Sequence, residues 1–590
     1  AVIDGNDQRI DYDYDDHGNR ILERDALGNT VTRHYSDDNR LLTETTYRVP
    51  DPDGDGAGLP GEPMTQHYIY NTDDQLSFVI SPEGRVTQYG YNATGERNLE
   101  VIYGDALYNT SVLNDTTSPT HSDMLDWAVQ RDLTQIQRTD TTHDFRGNVE
   151  WVTRYDNILT GGVGDPATAS RTYYAYDAQG RLLQRIDPRG VDTDTIPNDY
   201  ITSYAYDGLG RLTASVDANG VEIITHHLNG GVSTEKVYSN GLTERFTYDS
   251  RGQLSSLQRF DQSTLLSTET YHYDAAGRLR MITDGNGQQQ HTLYDEAGRQ
   301  VMQVDRAGAL SETVYDTAGN VIAEIAYANP LTAATLATLA SDLDMSTLTR
   351  DSLRSEASHF FQDRATHYIY NDANQVIYTL VRNVVGVNLS YAVTQAFYDG
   401  AGRLTDEKAF GAEIPTGDLT GLLDLHHVLA TQPSPADIAA VLDESAINNR
   451  LTRHFYNRDN QLIGTLDGEG YLTEYVYNAA GQLRFTFERY NQLSLPGIAY
   501  DDLTETERAD VLSFQSSASG LDIKQRIGPS GEDRKTTYYY NARGQQIGVV
   551  DPDGYPPDYR YDRAGNRDET WRSADPVNTL PALPGTEPPA

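Results

Sequence analysis

The stretch Tyr273-Asp274-Ala275-Ala276-Gly277-Arg278-Leu279 decides the fold, because its pattern returns along the whole chain. The pattern is Tyr, Asp or Asn, two variable residues, Gly or Asn, then Arg, Gln or Asn, and usually an aliphatic residue. It returns at Tyr294 and again at Tyr315, each 21 residues after the previous copy. A fixed period of this length indicates a repeat architecture, in which each unit is one supersecondary element stacked on the next.

The repeat runs from one end of the sequence to the other. Two degenerate copies, in which His replaces Tyr, keep the frame. The anchors are Tyr14, Tyr35, Tyr70, Tyr91, His143, Tyr176, Tyr206, His227, Tyr248, Tyr273, Tyr294, Tyr315, Tyr370, Tyr398, Tyr456, Tyr477, Tyr540 and Tyr561.

Each repeat carries a second turn, an Asp-x-x-Gly placed 11 residues after the Tyr, as in Asp284 to Gly287. Asp or Asn at the first position of a turn caps it with its own side chain, and Gly at the fourth position tolerates positive φ, which is typical of a type I turn closed by a bulge. The short stretches between turns alternate apolar and polar residues, the period of a half-buried strand. The sequence therefore predicts an all-β fold, a long spiralling antiparallel β-ribbon of hairpins.

Composition and charge exclude several classes of function. The chain has 590 residues, with 46 Lys and Arg against 87 Asp and Glu, a formal net charge of −41. Nucleic acid and anionic membranes need clustered cations, which this chain does not have in surplus. No apolar run approaches the roughly 18 residues of a membrane span, and residues 1–10 lack the pattern of a signal peptide. Cysteine is absent, which excludes a thiol nucleophile and cysteine-ligated metals.

Four insertions open the spacing between anchors, and all have helical character: residues 122–137, 331–361, 420–448 and 501–514. One interpretation is that they form amphipathic helices packed on the sheet. The alternative is that they decorate one face as binding surfaces or spacers. The ribbon is expected to occupy residues 1–577, and residues 578–590 form a Pro-rich tail. A start at Ala1 without Met leads us to expect a piece of a longer chain.

The phrase Tyr-Asp-x-x-Gly-Arg-Leu at this spacing closely resembles the repeat of the Rhs and YD-repeat proteins, which include bacterial polymorphic toxins, shell-forming subunits of Tc toxin complexes and the teneurins. The resemblance covers residues 14–567. It implies a spiralling β-ribbon that encloses a hollow shell, often around a toxic polypeptide. The family's toxins often end the shell with a plug and an aspartate-dependent self-cleavage site, and we find no convincing version of either here.

Size indicates part of a shell. With two strands for each of 18 anchors, we expect about 36 strands, and at about 4.8 Å per strand the ribbon would measure roughly 170 Å. That length circles a cylinder about 50 Å wide once, so the segment is expected to form part of a wall.

The sharpest local motif is an acidic loop that fits Asp-x-Asp-x-Asp-Gly-x5-Glu. Asp51, Asp53, Asp55 and Glu62 would supply carboxylates to a calcium ion, and the carbonyl of Ala57 would complete the ligands. No flanking helices are evident, so this would be a calcium loop on a β scaffold. The alternative is an acidic, Gly-rich surface loop without an ion.

Other candidate chemistry is weaker. The adjacent pairs His226-His227 and His426-His427 lack the spacing of a helical metal pair, so we expect no ligand role. Carboxylate pairs and the repeated Gly-Arg recur at nearly every turn, which favours a structural ladder that pairs Arg with acids. An active site should be singular, whereas these features are periodic, so we predict no enzyme.

The leading hypothesis is a non-enzymatic segment of a large secreted or cell-surface YD-repeat protein, forming part of a shell that encapsulates or displays another polypeptide such as a toxin. The expected partners are that cargo or neighbouring segments of the same protein, and end-to-end self-association through unpaired strand edges is expected. The alternative is an adhesion module that binds glycans or a cell-surface protein through its Tyr-rich strands and insertions.

Overall fold

The computed structural model describes residues 1–52, 54, 60–191, 200–217, 221–228, 232–342, 348–359, 362–385, 388–415, 419, 433–444, 446, 448–494, 511, 520–555 and 557–572. Within these residues the chain forms one antiparallel sheet of 38 strands and a separate pair of short strands. The all-β fold class predicted from the repeat is confirmed.

Each strand of the large sheet pairs with the next strand of that sheet along the chain, so the sheet is a single meander. The short strand Ile414–Pro415 is an addition, which pairs with Asn388–Tyr398. The strands of the first half are Val2–Ile3, Arg9–Tyr14, Arg20–Arg24, Thr30–Tyr35, Leu41–Val49, Gly61–Tyr70, Leu76–Ile80, Val86–Tyr91, Arg97–Ile102, Gln137–His143, Val149–Tyr155, Ala169–Tyr176, Leu182–Ile186, Ile201–Tyr206, Leu212–Val216, Glu222–Leu228, Ser233–Tyr238, Leu242–Tyr248, Leu254–Asp261 and Thr264–Tyr273.

The meander continues in the second half without a change of pairing. Its strands are Leu279–Thr283, Gln289–Tyr294, Gln300–Val304, Leu310–Tyr315, Val321–Ala326, Arg364–Tyr370, Val376–Val385, Asn388–Tyr398, Leu404–Ala409, Ile414–Pro415, Arg450–Tyr456, Leu462–Leu466, Tyr471–Tyr477, Leu483–Gln492, Arg534–Tyr540, Gln546–Val550, Pro557–Tyr561 and Arg567–Arg572. The separate pair is Ile158–Leu159 with Val163–Gly164.

Helices lie in the insertions. The α-helices of the described residues are His121–Ala128, Pro188–Val191, Ala333–Ser341, Arg350–Ala357, Pro435–Ala439 and Gly520–Ile527, and the 3-10 turns are Thr110–Val112, Leu133–Gln135 and Pro166–Thr168.

Helices lie in three of the four predicted insertions in the part of the chain that the structure describes. Residues 122–137 contain a helix, and residues 331–361 contain two. The insertion at 420–448 yields only a short helix, Pro435–Ala439, and residues 420–432 lie outside the described part. Of residues 501–514 only Val511 is described, and the tail at 578–590 also lies outside. The helix Gly520–Ile527 was not predicted.

Two kinds of turn alternate along the ribbon. We call the turn after each repeat Tyr a Tyr turn, as at residues 274–278, and the turn at the opposite edge a counter turn, as at residues 284–288. A register shift marks the repeat Tyr at the entry to each Tyr turn, for example between His272 and Tyr273. Gly277 adopts φ +83°, the left-handed conformation that closes such a turn. The predicted type I turn with a bulge is therefore confirmed.

The apolar core is divided into four clusters, each in a part of the ribbon whose insertion carries a helix. The helices Ala333–Ser341 and Arg350–Ala357 contribute Leu339 and Leu353 to the largest cluster, and both side chains are fully buried. The other three clusters take Met124, Ile438 and Ile523 from helices in their own insertions. A single sheet cannot bury an apolar face alone, and these helices supply the second layer.

The ribbon winds past itself. Hydrogen bonds join residues 310 to 393 positions apart, such as Asn6 with Asp316 and Ser170 with Arg563. One winding therefore takes roughly 25 strands, or on the order of 120 Å at about 4.8 Å per strand. The expectation of a single turn is wrong, because the Tyr turns of the later strands bond to the counter turns of the earlier ones.

Candidate functional site

The Tyr turn is the unit from which the rest of the molecule is built. In the turn at residues 177–181, the Asp177 backbone N–H donates to the Arg181 carbonyl at 2.9 Å, and Gly180 N–H donates to the Asp177 carbonyl at 3.1 Å. The Asp177 carboxylate accepts the backbone N–H groups of Gln179 and Arg181 through Oδ1, and Arg181 Nε through Oδ2 at 2.6 Å. The predicted pairing of the repeated Arg with an acid is confirmed at this turn.

Hydrogen bonds favour the ionised carboxylate in these turns. The pKa of Asp207 is lowered chiefly by the backbone N–H of Arg211, and the Arg211 guanidinium adds to the effect against the opposing influence of burial. The pKa of Asp144 is lowered chiefly by the side-chain amide of Asn148. The turn acids are therefore held as anions by local contacts, which is a structural arrangement.

A Tyr and an Arg connect the Tyr turn at residues 274–278 to the next. Arg278 holds its own turn acid, and its Nη1 donates to the carbonyl of Asp295 in the next turn at 2.8 Å. The same guanidinium lies over the Tyr294 ring, 4.9 Å from its centroid, within the range of a cation–π contact. The Tyr294 hydroxyl donates to the carbonyl of Leu279 at 3.0 Å.

The hydroxyl bond is common to many repeats. The Tyr ring lies against the previous Tyr turn, as Tyr294 does under Arg278. Its hydroxyl therefore reaches a backbone carbonyl at the end of a strand, and that carbonyl accepts the hydrogen bond. His227 occupies the same place in its degenerate repeat, with Nε2 3.1 Å from the Leu212 carbonyl. The other donors are Tyr35, Tyr70, Tyr91, Tyr206, Tyr273, Tyr370, Tyr398, Tyr477 and Tyr561.

A seam forms where Tyr turns of residues 316–566 meet counter turns of residues 4–189. The Asp459 carboxylate, buried at this seam, accepts Ser81 Oγ at 2.8 Å and Glu83 N–H at 2.9 Å, and it pairs with Arg85 at 2.8 Å. Farther along the same seam Arg543 pairs with Asp156.

Sequence reasoning missed the seam, because its partners are more than 300 residues apart and no short-range pattern joins them. Further bonds across it join Thr317 to Gly5, Asn374 to Asp4, Gly400 to Arg48, and Asp562 to Arg189.

A buried ion pair fixes one insertion to the sheet. Glu312 is 3% exposed on its strand and pairs with Arg354 of the helix Arg350–Ala357, with Nε to Oε2 at 2.9 Å. The Tyr327 hydroxyl donates to the same carboxylate at 2.7 Å. Burial, followed by the Glu312 charge, raises the pKa of Tyr327, and the hydrogen bond to Glu312 raises the pKa of Arg354.

Three buried histidines share one place in the repeat, three residues before the Tyr: His67, His291 and His367. Burial lowers the pKa of His67. Burial, with Arg280 nearby, lowers the pKa of His291 to about 4. The recurrence of His before an aromatic residue was visible in the sequence, but its burial depends on the helices that cover the sheet.

The acidic loop is described only in part. Asp51 is buried, where Arg24 Nη1 lies 3.3 Å from its Oδ2 and Gly54 N–H donates to its Oδ1. Glu62 pairs with Arg48 at 2.7 Å. Asp53, Asp55 and Ala57 lie outside the described residues, so the calcium loop stays a prediction.

The histidine pairs predicted to have no ligand role are described only in part. His226 is exposed and His227 takes the place of the repeat Tyr, whereas His426 and His427 fall outside the described residues. Within the described part of the chain no three His, Asp or Glu side chains are placed to hold a metal ion. Among its described helices none is long and apolar enough to cross a membrane.

Fold and site define a class: a repeat protein built as one antiparallel ribbon of Tyr-Asp hairpins that winds against itself. A family profile described as the teneurin YD-shell matches residues 125–427, about half of the chain. The chain belongs to the teneurin YD-shell family. No curated protein matches it.

Solved structures with similarity to the chain include Tc toxin components. TcdB2-TccC3 without its hypervariable C-terminal region is 12% identical at a TM-score of 0.42, with 95% of this chain and 30% of that chain covered. The Tc holotoxin pore of Photorhabdus luminescens is 12% identical at a TM-score of 0.35, with 97% and 32% covered. The chain thus spans about a third of the length of these proteins.

Proposed function

We propose that this chain is a non-enzymatic wall segment of a YD shell, which encloses or displays another polypeptide. The observation that carries the proposal is the seam, where Tyr turns seat on the counter turns of the winding before. A ribbon held in this way forms a wall around a lumen. Membership in the YD-shell family supports the same function.

The periodic use of charged residues supports a structural function. In the repeat at Tyr273 the Asp274 carboxylate holds Arg278 within its own turn, the Arg278 guanidinium also reaches the next turn, and the Tyr294 hydroxyl bonds to the Leu279 carbonyl. Shifted pKa values alone often mark catalytic sites, but ion-pair networks of a scaffold produce them too. We also propose a polypeptide cargo, because a shell wall serves to contain something. We propose a secreted setting as well.

The adhesion alternative has no specific observation in its favour. Its Tyr-rich surfaces are largely used within the ribbon, because many repeat hydroxyls bond to backbone carbonyls. Glycan or cell-surface binding therefore stays a prediction.

Small-angle X-ray scattering of the purified chain, combined with end-on class averages from electron microscopy, tests the proposal. We expect a ring-shaped cross-section and a pair-distance distribution weighted toward long distances, as a hollow wall gives. A solid cross-section, or the profile of a thin rod, would contradict a shell segment.

A further inference from the structure

Two of the buried histidines lie between the sheet and a helical insertion. His67, on the strand Gly61–Tyr70, is 2% exposed, and His291, on the strand Gln289–Tyr294, is 1% exposed. Strands pair on both sides of each. An imidazole in water changes its charge near neutral pH, so a buried one can link the packing around it to pH.

The first insertion is fastened to the sheet around His67. The His67 side chain is hydrogen-bonded to the backbone of Thr117, and its Nδ1 lies 3.5 Å from Ser118 Oγ. Ser118 Oγ also donates to the Leu42 carbonyl at 2.7 Å. His67 therefore lies beneath the segment that leads into the helix His121–Ala128.

The strands on either side present uncharged side chains to His67. Its partners there are Thr43 and Ile80. The Thr43 hydroxyl donates to the Asp115 carbonyl at 2.5 Å, so this acid of the insertion meets the strand through its backbone. Burial lowers the pKa of His67, and only the hydrogen bond to the Thr117 backbone acts the other way. Protonation would therefore leave a buried charge without a carboxylate bonded to it among the described residues.

A second titratable ring of the same insertion lies at the start of its helix. His121 is the first residue of the helix His121–Ala128, and its Nδ1 lies 2.7 Å from Oγ of the buried Ser77. Asp123, the acid of the first turn, is engaged in the capping box of the helix. A positive charge at a helix N-terminus is unfavourable, so protonation of His121 would not offset protonation of His67.

The second insertion covers His291. Its helix Ala333–Ser341 packs on the strand Gln289–Tyr294, and Leu293 of that strand belongs to the same apolar cluster as Leu339 of the helix. His291 Nε2 is buried and has no hydrogen-bond partner among the described residues. A proton added to this ring would therefore lie in an apolar layer, where an unpaired charge is costly.

The surroundings of His291 oppose its protonation. The residues directly opposite it on the neighbouring strands are Met281 and Val304. Burial, with the buried Arg280 nearby, lowers the pKa of His291 to about 4. The helix Ala333–Ser341 has no ionisable side chain.

The carboxylates of the second helix in this insertion have partners of their own. Arg354 pairs with the buried Glu312 of the sheet and with Asp351 of its own helix. Glu356 accepts a hydrogen bond from Thr335 Oγ1 at 2.6 Å. These acids are therefore engaged and do not stabilise a protonated imidazole beneath the layer.

We propose that these two insertions are acid-sensitive covers of the sheet: as pH falls from 7 to 5, protonation of His67 and His291 shifts each insertion toward an open state, in which its helices leave the sheet and the ring reaches water. The strands stay paired, because their backbone hydrogen bonds do not involve the imidazoles. The chain thus has a covered state at neutral pH and an open state that an acidic compartment selects. The inference goes beyond the proposed wall function and does not depend on it.

Acid favours the open state because the closed ring resists protonation. The closed His291 ring titrates near pH 4 and the open one near pH 6.5, so falling pH protonates the open state first and stabilises it. The opening equilibrium of this layer should rise about twentyfold between pH 7 and pH 5. The layer over His67 should change in the same direction, since burial lowers the pKa of that ring as well.

Hydrogen exchange of the full chain at pH 7 and pH 5, corrected for the intrinsic rates, tests the proposal. We expect the helices His121–Ala128 and Ala333–Ser341 to lose protection, by about twentyfold in the second. The helix Gly520–Ile527 is the control within the same molecule, because its apolar cluster contains no buried histidine among the described residues. Its protection should stay the same at both pH values.

Two double variants assign the response to the buried rings. His67→Gln with His291→Gln should abolish the loss of protection at pH 5, whereas His226→Gln with His272→Gln changes two exposed histidines and should keep it. Circular dichroism of the unaltered chain should show an unchanged β-sheet signal at pH 5.

Four results would each overturn the proposal. They are unchanged protection of either insertion helix in the unaltered chain, an equal loss in Gly520–Ile527, loss of the β-sheet signal at pH 5, and a folded His67 and His291 double variant that keeps the acid response. The comparison within the unaltered chain decides the question even where the double variant does not fold.

Discussion

At the scale of the residue, the first and last positions of the Tyr turn form a hydrogen-bonded pair in several residue combinations. Asp177 is followed four residues later by Arg181, Asn457 by Gln461, and Asp316 by Asn320. Asp accepts from a cationic or amide donor, whereas Asn turns its amide toward the Gln carbonyl. Each pair satisfies the same backbone donors with a different side-chain bond, so Arg or Asn can occupy the last position beside an unchanged Asp.

The Tyr hydroxyl bond should contribute measurably to stability. Tyr294→Phe removes the donor to the Leu279 carbonyl and keeps the ring under Arg278. We expect a loss of about 1 kcal/mol in the free energy of unfolding, measured by urea denaturation. Tyr14→Phe is the matched control, because Tyr14 is exposed and its hydroxyl makes no hydrogen bond within the described residues. An equal loss of unfolding free energy in both variants would contradict a stabilising role for the Tyr294 hydroxyl bond.

His291 should make the local stability of its strand depend on pH. Its folded-state pKa of about 4 lies below the value near 6.5 of an unfolded chain, so the unfolded state binds a proton first. Stability is full above about pH 6.5 and falls as pH drops toward 4. Between pH 7 and pH 5 we expect a loss of about 2 kcal/mol in hydrogen-exchange protection of Gln289–Tyr294. His291→Gln should remove this dependence, whereas substitution of exposed His226 should leave it unchanged.

At the scale of the element, each helical insertion is a separate layer held to the ribbon by an apolar cluster, and in one insertion by a buried ion pair as well. Arg354→Ala would leave Glu312 as a buried charge without its cation, which typically costs about 3 to 5 kcal/mol. We expect faster hydrogen exchange in the helices Ala333–Ser341 and Arg350–Ala357, with strands of other clusters unchanged. Arg350→Ala, an exposed position at the start of the same helix, should have no such effect. Unchanged exchange in the Arg354 variant would show that the apolar contacts suffice.

The predicted calcium loop is an element with its own test. Calorimetric titration of the purified chain with calcium chloride should give one site, and Asp53→Asn combined with Asp55→Asn should abolish it. Asp37→Asn with Asp38→Asn alters an equally acidic turn nearby and should leave binding intact. Removal of the ion with a chelator should lower the thermal midpoint of the intact chain. A titration without binding would leave an acidic surface loop that Arg24 and Arg48 stabilise.

The repeat elements could be predicted from the sequence, and several insertions could not. Turn chemistry and the 21-residue period act over a few residues, so Asp274, Gly277 and Arg278 identify the hairpins directly. The helix Gly520–Ile527 was missed although Ser519 and Asp522 have the spacing of a capping box and Ile523 and Ile527 stand four apart on its buried face. The segment is only eight residues long and begins with Gly, which has a low helix propensity. Asp53, Asp55 and Ala57 lie outside the described residues, so the candidate calcium site rests on the sequence motif alone.

At the scale of the whole molecule, the seam holds the windings together. Asp459→Ala removes the acceptor for Ser81, Glu83 and Arg85 at once. We expect hydrogen exchange of residues 81–85 to rise by an amount equivalent to about 2 to 4 kcal/mol. Asp73→Ala changes the same turn position in a Tyr turn of the first winding, where Asp73 is exposed, and should have little effect. Equal protection in the Asp459 variant and the unaltered chain would contradict a seam that depends on this carboxylate.

The number of windings could not be predicted from the sequence. Strand count and spacing give the length of the ribbon, but its curvature depends on contacts such as Gly400 with Arg48, which join residues far apart. The estimate of a single turn failed for this reason. Local signals determine how each hairpin forms, and only the three-dimensional path determines which hairpins meet.

The distance across the seam also has a consequence in time. Gly5 and Thr317 are 312 residues apart, whereas each strand pairs with its immediate neighbours. At a synthesis rate of about 5 to 20 residues per second, a ribosome needs roughly 15 to 60 s to produce the second partner after the first. The early hairpins therefore emerge and pair long before the Tyr turns that cover their counter turns have been synthesised. A chaperone that shields these counter turns would act during translation.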